Sequence, residues 1–169
     1  MTIQAHAEPL DGRLPTVTWR WDAETDILSG AFKSGRKGGG FTGTLELTDE
    51  HGSVAVVDVQ QGVICGIDIV VWPEVQSASR LAVPAQLTDG RVVLARREQP
   101  GSVALLELEA PLSVWTDVSE TVFHLQVGDP RPVDVVRVAD HLYVEVDKEA
   151  ELAGFWLTGV PAFPEFDEA

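Results

Sequence analysis

The chain has 169 residues, of which 44% are hydrophobic and 23% charged, and its formal net charge is −15. This composition is typical of one folded domain with a hydrophobic core rather than of a disordered chain. The excess of carboxylates excludes nucleic acids and anionic membranes as favourable partners, because proteins bind their negative charge through Lys and Arg. The excess is largest in residues 100–169, which hold fourteen acidic and three basic side chains.

Alternation of apolar and polar residues is the main secondary-structure pattern along the chain. In residues 42–49, Leu45 and Leu47 share one face of an extended segment, and polar residues occupy the other face. Valine-rich runs separated by Gly, Pro and Asp continue this pattern towards the C-terminus. The predicted strands are 42–49, 53–59, 90–98, 102–109, 121–127, 132–138 and 141–146.

Helical periodicity is weak throughout. Residues 147–155 are compatible with one or two helical turns, and no longer window has an apolar stripe at 3.6-residue spacing. We therefore predict an all-β fold, a hairpin-repeat β-sandwich or barrel with at most one or two short helical turns.

A hairpin pattern recurs along the chain. Each copy has a valine-rich strand, a polar tip and a second apolar strand, and the first two copies begin with Leu-Thr-Asp. A weaker similarity relates residues 21–32 to residues 116–127. The pattern indicates internal duplication, although valine-rich hairpins also resemble one another by chance. The three copies are residues 47–69, 87–108 and 138–157.

The repeats suggest a domain organisation. We expect an N-terminal segment at 1–15, a single β domain at 16–160, and an acidic aromatic tail at 161–169. A single short hairpin is not stable alone, so the copies are expected to pack together within the one domain. The duplicated units would span about 16–75, 80–112 and 113–160.

Residues 19–69 resemble a family of small bacterial proteins, the domain of unknown function 2283. The family pattern Tyr-Asp-x-Glu-x-Asp-x-Leu-Tyr-Ile corresponds to "WDAETDILSG", and its Gly-Ile-Glu-Ile ending corresponds to "GIDI" at 66–69. Ser29 replaces the second tyrosine, and the glycine-rich stretch at 34–43 is additional. The resemblance implies a β-rich module and no particular reaction. The matching positions are Asp22, Glu24, Asp26, Leu28, Gly66, Ile67, Asp68 and Ile69.

The stretch "SGRKGGGFTG" at 34–43 places positive charges among glycines in a strongly acidic chain. Lys33, Arg36 and Lys37 precede the glycine triplet, and a predicted strand follows it. A phosphate-binding loop has its lysine after the glycines and leads into a helix, so this segment is not expected to bind nucleotides. We expect a flexible hairpin connection whose cations contact the protein itself, another subunit or an anionic ligand.

No catalytic or metal-binding constellation is evident. His6, His51, His124 and His141 lack metal-ligand spacing, and Cys65 lies among apolar residues, as a buried structural thiol does. Asp22, Glu24 and Asp26 alternate and would share one strand face, where they could hold Ca²⁺ or simply cap a turn. We therefore predict no catalytic residues, no metal and no cofactor, and favour a protein that is not an enzyme.

Five tryptophans are unusual beside a single tyrosine. Core packing accounts for most of them, and an aromatic pocket in a small barrel is the functional alternative. Trp19 and Trp21 would share a face and could bind carbohydrate if that face is exposed. Phe163 and Phe166 lie in the acidic tail, which either packs on its own domain or docks onto a partner. The tryptophans are Trp19, Trp21, Trp72, Trp115 and Trp156.

These features favour a non-enzymatic β module acting through protein–protein contact or homo-oligomer assembly, including an acidic inhibitor or immunity-type protein. One version has the basic residues at 33–37 contacting the tail at 165–168 of another subunit. The alternative is a small-molecule-binding barrel with a tryptophan-lined pocket. The N-terminus has no signal-peptide pattern, and apolar runs such as 63–72 are shorter than the ~20 residues of a membrane span, so we expect a cytoplasmic location.

Overall fold

The computed structural model describes residues 3–34, 40–94 and 105–164, and this part of the chain forms fifteen β-strands and no helix. The all-β fold class is thus confirmed. The first eight strands are β1 (Ala5–Glu8), β2 (Arg20–Asp22), β3 (Ile27–Ala31), β4 (Gly43–Thr48), β5 (Val54–Gln60), β6 (Val63–Val71), β7 (Val75–Ser77) and β8 (Thr88–Asp89). The others are β9 (Arg91–Leu94), β10 (Leu105–Glu109), β11 (Leu112–Thr116), β12 (Phe123–Val127), β13 (Val133–Ala139), β14 (Leu142–Asp147) and β15 (Leu152–Leu157).

The strands form two sheets. The eight-stranded sheet has the order β1-β9-β6-β5-β4-β10, and β3 pairs with the remaining part of β6 and with β2. The seven-stranded sheet has the order β7-β11-β12-β15-β14-β13-β8. Most neighbours are antiparallel, but β10 on β4, β7 on β11 and β8 on β13 are parallel edge pairs.

Two groups of five strands follow the same order. In the first sheet the order is β2-β3-β6-β5-β4, and in the second it is β11-β12-β15-β14-β13. Gly66 faces Asp58 in one group, and Gly154 faces Glu145 at the same position of the other. The similarity of residues 47–69 to 138–157 therefore coincides with an equivalent strand arrangement. An origin by duplication stays a prediction.

The described strands of residues 87–108 do not form the predicted hairpin. β8 pairs with β13 in the second sheet, whereas β9 pairs with β1 and β6 in the first. β10 lies against β4, at the opposite edge of that sheet from β9. The Leu-Thr-Asp similarity marks a local pattern only, because strand partners are chosen by long-range packing.

Residues 147–155 also differ from expectation. The helical turns predicted there are replaced by a short turn after Asp147, with Ala150 at φ 59°, and by the beginning of β15. All six residues of β15 are buried, so its sequence "LAGFWL" is apolar on both faces and does not alternate. β15 is the return strand that the hairpin pattern of residues 138–157 predicts, and it pairs antiparallel with β14.

A single hydrophobic core lies between the sheets. Leu45 and Leu47 are fully buried on one face of β4, as the alternation predicts. Side chains from both sheets join one cluster, which explains why neither group of strands exposes its inner face to water. Its largest members include Leu28, Ile67, Ile69, Leu125, Leu142, Phe155 and Leu157. Among the described residues, no helix is long and apolar enough to cross a membrane.

Candidate functional site

The outward face of the first sheet carries a group of carboxylates around a half-buried valine. Inward residues of β4, β5 and β6 are buried in the core, so the residues that alternate with them point away from it. β10 contributes two more exposed carboxylates at the sheet edge. We call this surface the acidic face, and it consists of Glu46, Val56, Asp58, Asp68, Glu107 and Glu109.

Strand register aligns four of these residues in one row. Val56 of β5 faces Asp68 on one side and Glu46 on the other. Glu46 in turn faces Glu107 across the parallel pair of β4 and β10. Like charges on directly opposite positions repel one another and lower the stability of the sheet. The row thus keeps Glu46 and Glu107 together at a cost in folding energy.

Asp58 and Asp68 are the partly buried members of the acidic face. Burial raises the pKa of Asp58, and the charge of Asp68 raises it further. Burial also raises the pKa of Asp68, although a hydrogen bond from the Ser29 side chain opposes that effect. Both carboxylates therefore carry charge in a setting that penalises it.

The carboxylates of the acidic face have no counter-ion among the described residues. Within the described part of the chain, none of its carboxylates forms an ion pair with Lys or Arg; those cations that do pair contact Asp11, Asp147 and Asp134. Arg20 occupies the far end of the same row, next to Ser29, and is exposed. Among the described residues, no cation neutralises the carboxylates of this surface.

An open groove of about 940 Å³ continues the acidic face towards the second sheet. Glu46, Glu107 and Glu109 line one part of it, and the turn after β4 supplies Asp49 and Glu50. The Asp49 carboxylate accepts the backbone N–H groups of His51 and Ser53, so its position in the turn is fixed. The groove and the face form one continuous negative surface.

The second sheet presents a different outward surface. Trp115, His124 and Trp156 occupy facing positions on β11, β12 and β15. The His124 ring stacks on both indoles, with ring centroids 4.1 Å apart for Trp156 and 6.0 Å apart for Trp115. Glu145 is buried beneath them. Its carboxylate lies 2.6 Å from His124 Nε2 and accepts the Trp156 indole N–H at 3.2 Å. These side chains satisfy one another, so the arrangement is a packed structural cluster.

The remaining tryptophans pack at the edge of the core. The Trp21 ring stacks on that of Trp72 with their centroids 5.6 Å apart, and it meets the Phe163 ring edge-on with a centroid distance of 5.2 Å. Trp19 is only 5% exposed and donates its indole N–H to the Thr158 carbonyl. Carbohydrate binding on a joint face of Trp19 and Trp21 is therefore excluded, because Trp19 is buried.

The C-terminal segment up to residue 164 packs on its own domain. Trp21 donates its indole N–H to the Pro161 carbonyl at 2.8 Å, and Phe163 covers the Trp21 ring while remaining 38% exposed. Of the two alternatives for the tail, contact with its own domain holds for residues 161–164. Phe166 and the acidic end at 165–168 lie outside the described residues.

The predicted basic cluster is described only at Lys33. This exposed side chain borders a pocket between β3 and the segment that follows β1. Arg36 and Lys37 lie outside the described residues, as does the predicted contact between residues 33–37 and the tail.

The carboxylates at 22–26 do not share a strand face. β2 ends at Asp22, whose side chain accepts the Glu24 backbone N–H at 2.9 Å, and Asp26 closes the turn at φ 60°. Asp22 therefore caps this turn. Elsewhere among the described residues, no group of three or more His, Cys, Asp or Glu side chains is arranged to hold a metal ion.

Cys65 is buried, as its apolar neighbours predict. Burial and the nearby Asp58 charge raise the pKa of its thiol to about 11, despite a backbone hydrogen bond at Gln60 that lowers it. The thiol therefore stays protonated at neutral pH and is a poor nucleophile.

Sequence patterns did not identify the acidic face. The acids alternate with apolar residues in "TLELT" and "LLELE". This alternation predicts strands but does not indicate which strands are neighbours. The pairing of β4 with β10 decides that Glu46 and Glu107 are neighbours, and a parallel edge pair leaves no local signal in the sequence.

The comparisons with known proteins give no relative. No family model matches this sequence, and no curated protein is significantly similar to it. The resemblance of residues 19–69 to the domain of unknown function 2283 therefore stays a prediction.

Proposed function

We propose that this protein is a non-enzymatic binding module that docks a basic surface of a partner protein on its acidic face. The observation that carries the proposal is the row of Asp68, Val56, Glu46 and Glu107. In this row carboxylates surround an apolar side chain, and none of them has a counter-ion in the part of the chain that the structure describes. An acidic inhibitor or immunity-type protein acting in the cytoplasm would use such a surface.

The energetics favour a cationic partner. The pKa of Asp58 and that of Asp68 are raised because burial disfavours their charge. A Lys or Arg from a partner, brought next to them, would stabilise the charged forms that the free protein destabilises. Half-buried Val56 offers apolar area at the centre, where interfaces exclude water, and exposed Glu107 and Glu109 supply a polar rim.

A different protein fits this surface better than a second copy of the chain. In a symmetric dimer each acidic face would meet itself, and like charges would then be juxtaposed across the interface. The partner is expected to carry an excess of Lys and Arg around an apolar centre.

Partner capture with matched charge variants tests the proposal. The triple variant Glu46→Gln, Glu107→Gln, Glu109→Gln removes three charges from the face. A control triple, Glu24→Gln, Glu74→Gln, Glu149→Gln, removes the same charge from exposed positions elsewhere. We expect the face variant alone to lose a basic partner, with at least a tenfold rise in Kd, as measured by calorimetry. Equal loss in both variants would show only a net-charge effect and would reject the face.

Nuclear magnetic resonance gives a second readout that needs no natural partner. A peptide of alternating Lys and Leu serves as a basic, partly apolar probe. We expect its titration to shift the amide signals of β4, β5 and β10 more than those of the second sheet. Shifts that are spread evenly over both sheets would count against a defined docking surface.

A further inference from the structure

A second pocket, of about 450 Å³, lies where residues 10–15 cross the ends of β3 and β6. Its volume is within the range of small-molecule sites, about 300–1,000 Å³. The apolar part of its lining includes Leu10, Leu14, Phe32 and Ile64. It shares no residue with the acidic face.

Three cations line this same pocket. Arg13, Lys33 and Arg91 are all part of its lining, although the whole chain has only twelve Lys and Arg residues against twenty-seven Asp and Glu. Arg13 and Lys33 are exposed, and neither has an ion-pair or hydrogen-bond partner among the described residues. Two uncompensated positive charges beside apolar surface are unexpected in so acidic a protein.

The third cation already shows the interaction that a ligand could make. Arg91 donates from Nη1 to the Asp11 carboxylate at 3.0 Å. The Arg91 side chain is 15% exposed, whereas that of Asp11 is 82% exposed. The Asp11 carboxylate therefore approaches the largely buried Arg91 guanidinium from the solvent side. A ligand carboxylate of the same geometry could take its place.

The segment that carries Asp11 is weakly attached. Among the described residues, this ion pair is the one hydrogen-bonding contact made by residues 9–14, since Pro15 makes the next one through its carbonyl to Asp140. A Cβ atom added at Gly12 would meet nothing within 4 Å, so the segment is also loosely packed there. Few contacts make local opening inexpensive, and a ligand can therefore enter beneath this segment.

We propose that this pocket binds a small amphipathic carboxylate. Its head group would lie on Arg91, Arg13 and Lys33, in the place that Asp11 takes in the free protein. Its aliphatic or aromatic body would lie against Leu14 and Phe32, where apolar area is removed from water. The carboxylate is specified over other anions because a carboxylate already occupies Arg91.

Calorimetric titration with three eight-carbon probes tests the charge requirement. Octanoate carries the proposed head group, octanol carries no charge, and octylammonium carries the opposite charge. We expect octanoate to bind at least tenfold more tightly than octanol, and octylammonium, which is expected to bind the acidic face instead, not to compete with octanoate for this pocket. Equal affinity for octanoate and octanol, or no binding of octanoate at millimolar concentration, overturns the proposal.

Variants locate the site. The double variant Arg13→Gln, Lys33→Gln is expected to weaken octanoate binding about tenfold or more, with an unchanged thermal unfolding midpoint because both side chains are exposed. A control, Arg80→Gln, Lys148→Gln, removes two exposed cations outside the pocket and is expected to leave the affinity unchanged. An equal loss in both variants would show nonspecific charge attraction and overturn the site.

The experiment is independent of the proposed docking function. The acidic-face triple variant retains every pocket residue, so it is expected to bind octanoate as tightly as the wild type does. Loss of partner binding without loss of octanoate binding separates the two surfaces. Loss of octanoate binding in that variant would contradict the assignment of the site to this pocket.

Discussion

Asp58 and Glu145 occupy equivalent positions in two groups of strands with the same order, and each faces a glycine on the neighbouring strand. Glu145 is satisfied by His124 and Trp156, whereas Asp58 has no ion-pair partner among the described residues and lies near a second carboxylate. The same backbone position thus supports a closed structural cluster in one sheet and an uncompensated charge in the other. This difference supports the proposal that the acidic face is a docking surface.

Replacing Asp58 by Asn is expected to stabilise the free protein at neutral pH. The pKa of Asp58 is raised in the folded state, so folding favours the protonated carboxyl. This favourable contribution is fully present below the unfolded pKa, near 3.8, and is lost as pH rises through the folded pKa. Urea unfolding at pH 3 and pH 7 checks this. If Asp58→Asn raised the free energy of unfolding equally at pH 7 and pH 3, the stabilisation would not come from removing the Asp58 charge. Glu24→Gln, at an exposed position, is the control.

Replacing Asp147 by Asn is expected to destabilise the protein by about 2–3 kcal/mol, the scale of a charge-assisted hydrogen bond. Burial by itself raises the pKa of Asp147. The Arg131 side chain and the backbone N–H groups of Glu151 and Glu149 donate hydrogen bonds to its carboxylate, and together with the Arg131 charge they lower the pKa overall. The Asp147 contribution is therefore present above the unfolded pKa and lost as pH falls through the lowered folded pKa.

The control for Asp147 is Asp134→Asn. Asp134 pairs with Lys148 at 2.7 Å, but both side chains are more than 60% exposed, so its loss is expected to cost about 0–1 kcal/mol. Equal costs for the two variants would show that burial does not strengthen the Arg131–Asp147 pair. Chemical denaturation at pH 7 and pH 2.5 measures both, because the Asp147 contribution is lost only below the unfolded pKa near 3.8.

Replacing His124 by Ala is expected to cost about 3 kcal/mol or more, because it leaves the buried Glu145 carboxylate without its closest partner. The double variant His124→Ala, Glu145→Gln removes that charge as well and is expected to recover part of the loss. A double-mutant cycle by urea unfolding measures the coupling. Additive effects would show that the pair contributes no coupling energy.

Replacing Gly154 by Ala is expected to unfold the protein or lower its stability by several kcal/mol, since the new methyl group would collide with the Glu145 carboxylate and the Leu125 carbonyl. Gly12→Ala is the matched control and is expected to stay within about 0.5 kcal/mol, because a Cβ there meets nothing within 4 Å. Thermal unfolding of the two variants compares them directly. Similar midpoints would contradict the close approach at Gly154.

Partner binding on the acidic face is expected to tighten as pH rises through the raised pKa values of Asp58 and Asp68. A cationic partner lowers those pKa values, so binding releases protons, and protonation of the free face at lower pH competes with it. Affinity should also fall with added salt. Calorimetry in buffers of different ionisation enthalpy measures the released protons. Binding without proton release would place the partner elsewhere.

The sequence by itself determined the fold class and most of the interior. Alternation in β4 and β5 assigns Leu45, Leu47 and Val57 to the core, because a strand sends successive side chains to opposite faces whatever its neighbours are. It also indicated a buried thiol at Cys65. The hairpin pattern of residues 138–157 also predicts a return strand where β15 lies, although that strand does not alternate. Short edge strands such as β7 and β8 have no local pattern that predicts them.

Only the tertiary structure decided which charges are neighbours. Parallel pairing of β4 with β10 places Glu46 beside Glu107, and the crossing of residues 10–15 over β3 brings Arg13 to Lys33. These neighbours are determined by the packing of both sheets around one core. That packing involves residues far apart in the sequence, so no single segment predicts it. The acidic face and the pocket at residues 10–15 could therefore not be predicted from the sequence, because each consists of side chains from distant strands and loops.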